Sequence, residues 1–289
     1  MRVRAHSLSP SVVRGIAIMC AAVFAASAQM ARAAGVVGMG TAASCADAAL
    51  NVALAGGGLV TFNCGGAATI TVTSTKTISA DTTIDGGSLI TISGGNSVSV
   101  FSVNTGVNFT VQNLTIANGN TGGNGGGIFS TGGSLTVTNS TFSGNSASSG
   151  GGIGIVNGAT LTVTNSTFSG NTAVYGGAIW ISYGGGTATV TNSTFSGNSA
   201  SSGSGGAIDN GATLTVTNTI VANSTSGGNC WGAITDGGHN IDSDGTCGVG
   251  PATDPLLAPA GLANNGGPTQ TIALEPNSPA VDAGCSSTS

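Results

Sequence analysis

Ionisable side chains are scarce in this chain of 289 residues, in which Asp, Glu, Lys and Arg together make up 5% of the sequence. Residues 110–205 contain none of these four types and no histidine. Catalysis by a serine–histidine pair or by two facing carboxylates needs such groups close together. The middle of the chain therefore lacks the ingredients of a common hydrolytic site, and no catalytic residue is predicted.

Basic residues are fewer still, with five Lys and Arg in total, of which Lys76 alone lies beyond residue 33. A basic start, an apolar stretch over 15–28 and a small-x-small sequence at 31–33 predict an export signal over residues 1–33. Its removal leaves one basic residue against ten acidic ones, a net charge of about 1 − 10 = −9. Nucleic acid is excluded as a partner because nothing remains to neutralise phosphates. No other stretch has the length of a transmembrane segment, so the expected location is extracellular or on the cell surface.

Glycine, with 51 residues, is abundant, and it lies within a sequence repeat. Related segments place an asparagine at spacings of 26, 26, 27 and 26, at Asn113, Asn139, Asn165, Asn192 and Asn218. A period of this length indicates a solenoid, in which each unit buries its apolar side against its neighbours. Corner turns that need positive φ account for the glycines.

Apolar residues recur at fixed distances from each asparagine and alternate with threonine, which is a strand pattern. The columns are Phe109, Leu135, Leu161, Ala188 and Leu214; Val111, Val137, Val163, Val190 and Val216; Ile116, Phe142, Phe168, Phe195 and Val221; and Ile128, Ile153, Ile179 and Ile208 after glycine steps. Three short strands and three turns in about 26 residues predict one coil of a parallel β-helix. The fold class is all-β, with about seven coils over residues 34–225.

Both ends of the predicted solenoid differ from its middle. Residues 44–55 predict a short capping helix, with Ser44 and Asp47 as a capping box and Gly56 as the stop. Six of the seven prolines follow residue 250, so stacked strands are expected to stop after Cys230, leaving an irregular C-terminal region over 226–289. In an oxidising compartment we expect two disulfides, each closing a short ring. The pairs are Cys45 with Cys64 and Cys230 with Cys247, and Cys285 is left over.

Two repeating polar columns are further candidates. The asparagines predict an internal ladder in which each side-chain amide bonds to the next along the axis. Since an inward amide cannot carry a sugar, the Asn-x-Thr acceptor sequences in this column are interpreted as products of the repeat. Threonine pairs on four successive strands predict a regular outward grid that could bind a surface. They are Thr136/Thr138, Thr162/Thr164, Thr189/Thr191 and Thr215/Thr217.

One acidic segment suggests a metal site. Asp242 and Asp244, followed by Gly245, have the pattern of the first half of a calcium loop, although the later bidentate acid is missing. Calcium is therefore the one cofactor that the sequence leaves open, and the alternative is that these residues are polar turn residues. Asp209 and Asp236 are the carboxylates to compare if two acids meet across a cleft.

Two resemblances connect the chain with known families. Gly-Gly-Gly-Ile or Gly-Gly-Ala-Ile steps (125–128, 150–153, 176–179, 205–208) alternating with Phe-x-x-Asn (142–145, 168–171, 195–198) resemble the repeats of chlamydial-type polymorphic outer-membrane proteins, which are surface β-helix adhesins. The segments 240–247, 265–269 and 278–284 are similar, in order, to signature pieces of the bacterial choice-of-anchor Q domain. The resemblances imply an exported, right-handed β-helix protein of the pectate-lyase-like superfamily. The anchor family continues past Cys285, so this tail is expected to be truncated.

Three functions follow as hypotheses. The first is a non-catalytic, adhesin-like or structural surface protein whose polysaccharide or protein ligand the sequence does not identify. The second is a polysaccharide lyase or glycosidase, which the superfamily resemblance implies. The third is binding to ice or another crystal surface through the threonine grid.

Overall fold

The computed structural model describes residues 35–184 and 186–284; the expected export signal and Cys285 lie outside them. The first elements are β1 (Gly35–Val37), a 3-10 turn (Ala42–Ser44), α1 (Asp47–Leu54), β2 (Gly58–Phe62), β3 (Ala68–Thr71), β4 (Lys76–Ile78), β5 (Thr82–Ser93), β6 (Phe101–Val103), β7 (Asn108–Ala117), β8 (Ile128–Ser130), β9 (Ser134–Thr138), β10 (Thr141–Ser143), β11 (Ile153–Ile155), β12 (Thr160–Thr164) and β13 (Thr167–Ser169). The remainder are β14 (Thr172–Tyr175), β15 (Ile179–Ile181), β16 (Thr187–Thr191), β17 (Thr194–Ser196), β18 (Ser199–Ser204), β19 (Ile208–Asn210), β20 (Thr213–Thr217), β21 (Ile220–Ala222), β22 (Cys230–Trp231), β23 (Thr235–Asp236), β24 (Ile241–Asp242), β25 (Leu257–Ala263) and β26 (Thr271–Leu274).

The strands stack in parallel, coil upon coil, to form a β-solenoid of about eight turns, which confirms the predicted fold class. The predicted apolar columns are in register. Val137 pairs with Val163 and Val163 with Val190, and all three are fully buried. The rings of Phe168 and its two column neighbours stack at centroid distances of 4.8 Å. Identical side chains therefore repeat along the axis of one continuous core.

Three faces of the solenoid are named by their characteristic side chains. The threonine face consists of β9, β12, β16 and β20, and the phenylalanine face of β10, β13, β17 and β21; both belong to one bent sheet. The tryptophan face consists of β8, β11, β15, β19 and β22, within a separate sheet. A two-stranded sheet, β14 with β18, lies immediately before the tryptophan face in the chain.

The N-terminal end is capped by α1, but the predicted capping box does not form. The helix begins one residue after Ala46, and the Ser44 hydroxyl donates to the Thr41 carbonyl at 2.6 Å. Asp47 instead pairs with the Lys76 ammonium, at 2.5 Å between Oδ1 and Nζ. The sequence pattern was misleading because a long-range ion pair uses the carboxylate that a local cap would have needed.

The C-terminal part departs from the prediction in its extent. Strands β22, β23 and β24 pair with β19, β20 and β21, so the solenoid continues to Asp242 rather than ending near residue 225. Each of these strands has only two residues, which is too short for an alternating pattern to be visible in the sequence. The predicted disulfides, Cys45–Cys64 and Cys230–Cys247, are both present.

The final segment folds back along the solenoid. Strands β25 and β26 form an antiparallel hairpin. Near it, the Thr141 hydroxyl on the phenylalanine face donates to the Gln270 carbonyl at 2.7 Å, and Thr141 is fully buried. The tail therefore covers part of the phenylalanine face. No helix among the described residues has the length and apolar character needed to cross a bilayer.

Candidate functional site

The asparagine column that the repeat predicts lies on the outside of the coil, so the expected internal position is wrong. Asn139 Nδ2 donates to Asn113 Oδ1 at 3.1 Å, and equivalent bonds continue through Asn165, Asn192 and Asn218. All five have φ between 49° and 54° and turn the chain from the threonine face to the phenylalanine face. They are half-buried or exposed, so burial does not exclude sugar attachment to these amides.

A second asparagine ladder, which the sequence analysis missed, lies inside the core. Asn145, Asn171 and Asn198 are fully buried. Asn145 Nδ2 donates to Asn171 Oδ1 at 2.9 Å, and Asn171 Nδ2 donates to Asn198 Oδ1 at 3.0 Å. Asn171 Nδ2 also donates to the Phe142 carbonyl at 3.0 Å. The Phe-x-x-Asn spacing was the available sequence signal for this polar column.

The threonine grid is assembled by the strand register. One file runs through Thr136, Thr162, Thr189 and Thr215, and the adjacent file through Thr138, Thr164, Thr191 and Thr217. Their side chains point away from the buried leucine and valine columns and are half-buried or exposed. The eight residues thus share one outward surface, with coils about 4.8 Å apart.

The acidic segment proposed for calcium is occupied by protein donors. Asp242 accepts hydrogen bonds from Asn229 Nδ2 at 2.7 Å and from the Cys247 amide at 2.7 Å. Asp244 accepts from the Asn229 amide and from both the amide and the hydroxyl of Thr246. Among the described residues no three His, Cys, Asp or Glu side chains form a metal-binding group. Calcium binding therefore remains a hypothesis and would have to displace these bonds.

Two of the side chains that enzyme chemistry could use, Lys76 and Asp85, are held in structural contacts. Lys76 is 4% exposed and pairs with Asp47, so this lysine is not accessible as a base that could abstract a proton from a polysaccharide. Asp85 lines a pocket of about 520 Å³ that contains no second carboxylate, and it accepts bonds from Gln112 and Asn113. Asp209 and Asp236 lie on strands of different sheets.

The tryptophan face carries a group of residues that the repeat analysis did not single out. Its outward positions are occupied, from coil to coil, by Phe129, Gly154, Trp180, Asp209 and Trp231. Asp209 is therefore the register partner of a tryptophan on both sides. Four of these residues directly follow the isoleucine that ends a glycine step, and the fifth, Trp231, follows Cys230, which takes the place of that isoleucine. The sequence could have revealed this position.

Asp209 is a carboxylate without a hydrogen-bond donor or a cation beside it among the described residues. It is 6% exposed, and no described residue donates a hydrogen bond to it or pairs with it as a cation. Removal from water without a compensating donor raises the pKa of Asp209 to about 6. At neutral pH the protein therefore holds a largely ionised, unpaired carboxylate between two indole side chains.

A sharp glycine corner before each strand of the tryptophan face brings a strip of mostly polar residues beside it. Gly125, Gly150, Gly176 and Gly205 all have φ between 59° and 66°. A Cβ at Gly176 would meet the Ile179 carbonyl oxygen and would lie 3.0 Å from the Trp180 Cα. Glycine is required here because it alone permits both the backbone angle and the close approach. The residues before these glycines, Asn124, Ser149, Tyr175 and Ser204, form the polar strip.

The raised pKa predicts a pH-dependent effect of Asp209→Asn. Because the folded value of about 6 exceeds the usual 3.8, folding disfavours ionisation, and the resulting penalty is small at pH 4, grows as the pH rises from 3.8 to 6 and is complete above pH 6. The penalty at neutral pH is about 1–3 kcal/mol. We expect Asp209→Asn to raise the melting temperature by roughly 2–8 °C at pH 8 and to raise it far less at pH 4.

Circular dichroism melts at both pH values test this prediction. Glu275→Gln, which removes an exposed carboxylate, is the matched control and should change neither melting temperature. An equal effect of Asp209→Asn at pH 4 and pH 8 would mean that ionisation of this carboxyl is not the cause.

Comparison with known proteins places the solenoid in a family. A family model described as "Right handed beta helix region" matches residues 59–240. No curated protein and no solved structure matches the chain. The match spans most of the stacked coils described above and more than half of the chain. The protein belongs to the right-handed β-helix family.

Proposed function

We propose that this β-helix protein is an exported, non-catalytic surface or secreted protein that acts as an adhesin-like or structural rod. The observation that carries the proposal is the complete lack of Asp, Glu, Lys, Arg and His over 86–208, which make up the central coils. Outside this stretch, Lys76, Asp85 and Asp242 are engaged in contacts that hold the fold. A neutral, stiff rod is suited to presenting polar faces to a ligand.

Export is supported by three features. Two disulfides join residues near the ends of the solenoid, and such bonds persist in oxidising compartments. Residues 1–33 have the pattern of an export signal. The glycine steps and the tail resemble surface adhesins and anchor domains of the pectate-lyase-like superfamily. We propose membership of this superfamily and attachment at the cell surface.

The proposed function is tested by asking whether the protein binds a cell or polysaccharide surface without cleaving it. Purified protein is incubated with cells, with insoluble polysaccharides and with soluble polysaccharides, and both retention and released products are measured. We expect retention on at least one surface and no increase of reducing ends or unsaturated products with time. Sustained product release that scales with protein concentration would overturn the proposal and favour a carbohydrate-active enzyme.

Adsorption to ice or another regular crystal is a second candidate function. It is favoured by the register of the two threonine files, which repeats hydroxyls at one spacing over four coils. Thermal hysteresis of the purified protein tests it. Thr162→Tyr should abolish the effect by breaking the grid, whereas Ser79→Tyr, at an exposed position outside it, should not. Absence of hysteresis in the unaltered protein would reject binding to ice.

A further inference from the structure

We propose that the tryptophan face binds a neutral glycan chain, with Trp180 and Trp231 stacking on sugar rings and the Asp209 carboxylate accepting hydrogen bonds from sugar hydroxyls between them. The inference rests on the proposed function and identifies the ligand class and the face that binds it.

The first observation is where the aromatic residues outside the core are found. The chain has two tryptophans and two tyrosines, and all four lie on or beside this face: Trp180, Trp231, Tyr175 and Tyr183. Trp231 is 42% exposed and Tyr183 is 76% exposed, and their rings meet edge to face at 6.2 Å. Exposed aromatic groups of this kind are costly in water and commonly mark binding surfaces.

The second observation is the unpaired carboxylate. Asp209 is 6% exposed and receives no hydrogen bond from the described residues, so only groups that reach its carboxylate from the open side of the face can donate to it. Hydroxyl groups of a bound ligand are suitable donors, because they can approach from the open side of the face. Neighbouring hydroxyls on one sugar ring can occupy both oxygens at once.

The charge of the site selects among ligands. Lys76, the single Lys or Arg among the described residues, is buried at the opposite end of the solenoid beside α1, so an anionic ligand would meet Asp209 with no lysine or arginine to compensate its charge. Acidic polysaccharides and phosphorylated ligands are therefore disfavoured. A neutral glycan satisfies the carboxylate without adding charge.

The geometry favours an extended ligand over a single small cation. Trp180 and Trp231 are two coils apart, roughly 10 Å along the axis, a separation comparable with the length of a disaccharide. Phe129 continues the aromatic file in the other direction. The polar strip runs parallel to the file, and its members Tyr175 and Ser204 offer hydroxyl groups along the same axis. A cation would use the carboxylate and one indole but not this strip.

Tryptophan fluorescence gives a direct test, since Trp180 and Trp231 are the two tryptophans of the chain. The full protein is titrated with soluble xyloglucan, mixed-linkage β-glucan and galactomannan. Polygalacturonate is the anionic comparison, and tetramethylammonium is the cationic one. We expect a saturable change in emission with at least one neutral glycan and none with the other two probes. Saturable changes with the cation but with no neutral glycan would overturn the proposal.

Variants assign the binding to this face. We expect Trp231→Ala and Asp209→Asn each to weaken glycan binding by about tenfold or more, measured by calorimetry. Asp209→Asn is expected to be more stable than the unaltered protein, so its loss of binding cannot be attributed to unfolding. Thr162→Ala, on the threonine face, is the matched control and should bind with unchanged affinity.

The outcomes separate this inference from the proposed function. Glycan binding that is lost in Thr162→Ala and retained in the tryptophan-face variants would reject the inference and leave the adhesin-like function standing. Product release from a bound glycan would reject the non-catalytic function while leaving the binding face in place. Equal affinity of all variants and the unaltered protein would exclude the tryptophan face as the binding site.

Discussion

The substitution Asn171→Ala is expected to lower the free energy of unfolding by about 3–5 kcal/mol. Asn171 is fully buried, and its side chain serves neighbours on both adjoining coils. Its Oδ1 accepts from the Asn145 amide at 3.1 Å, and its Nδ2 donates to the Phe142 carbonyl at 3.0 Å. Alanine would leave these backbone groups without partners in a core that holds stacked phenyl rings.

Urea unfolding monitored by circular dichroism measures this effect, and the outer ladder provides its control. Asn165→Gly removes an equivalent amide from an exposed position where water can replace the lost bonds. Glycine keeps the positive φ of 51° without strain, so the expected cost is below about 1 kcal/mol. Similar losses in the two variants would contradict the distinction between a buried and an exposed ladder.

The substitution Lys76→Met is expected to destabilise the protein by about 3–5 kcal/mol, since it leaves one partner of a buried ion pair behind. Lys76 begins the first coil of its sheet, and its Nζ lies 2.5 Å from Asp47 Oδ1 on the capping helix. Neither atom has a hydrogen-bond partner other than this ion pair among the described residues. The pair therefore joins the cap to the solenoid.

A double variant identifies the origin of the loss. Lys76→Met combined with Asp47→Asn removes both charges, and we expect it to be more stable than either single variant. Chemical denaturation of the three variants gives the coupling energy. Strictly additive losses would show that the two side chains contribute independently and that the ion pair does not hold the cap.

The same ion pair predicts sensitivity to acid. Burial alone would raise the pKa of Asp47, but hydrogen bonds from Lys76 and Thr73 lower it below the usual 3.8. A lowered folded pKa means that the stabilisation is complete above pH 3.8 and is lost as the pH falls through the folded value. We expect the melting temperature of the unaltered protein to fall more steeply below pH 3.8 than that of the double variant.

The β-helix and its columns were predictable because each coil repeats the same physical requirement. Val137, Val163 and Val190 occupy one register position, and their period is visible in the sequence. The orientation of the asparagines was not predictable in the same way. Asn139 lies at a corner between two strands, where the in–out alternation of strand residues does not predict which way a side chain points. Its positive φ at this corner accompanies a side chain on the outside of the coil. Asn145 is buried because it bonds to the coil on either side.

The tryptophan face could not be predicted because, unlike the core columns, it does not repeat the same residue from coil to coil. Its positions repeat in space, but their side chains change from Phe129 to Gly154, Trp180 and Asp209. A search for recurring residues passes over positions whose residues differ from coil to coil. In a solenoid the shared residues build the scaffold, and the differences between coils are where a binding surface can arise.

The buried asparagine stack also limits how such a rod can change in length. Asn145, Asn171 and Asn198 each find their partner at the same point of the adjoining coil, so inserting or deleting part of a coil would set an amide against a phenyl ring. Gain or loss of a whole coil preserves every contact of this column. Tandem duplication of a single unit is therefore the change through which the rod can lengthen in evolution while its core stays intact.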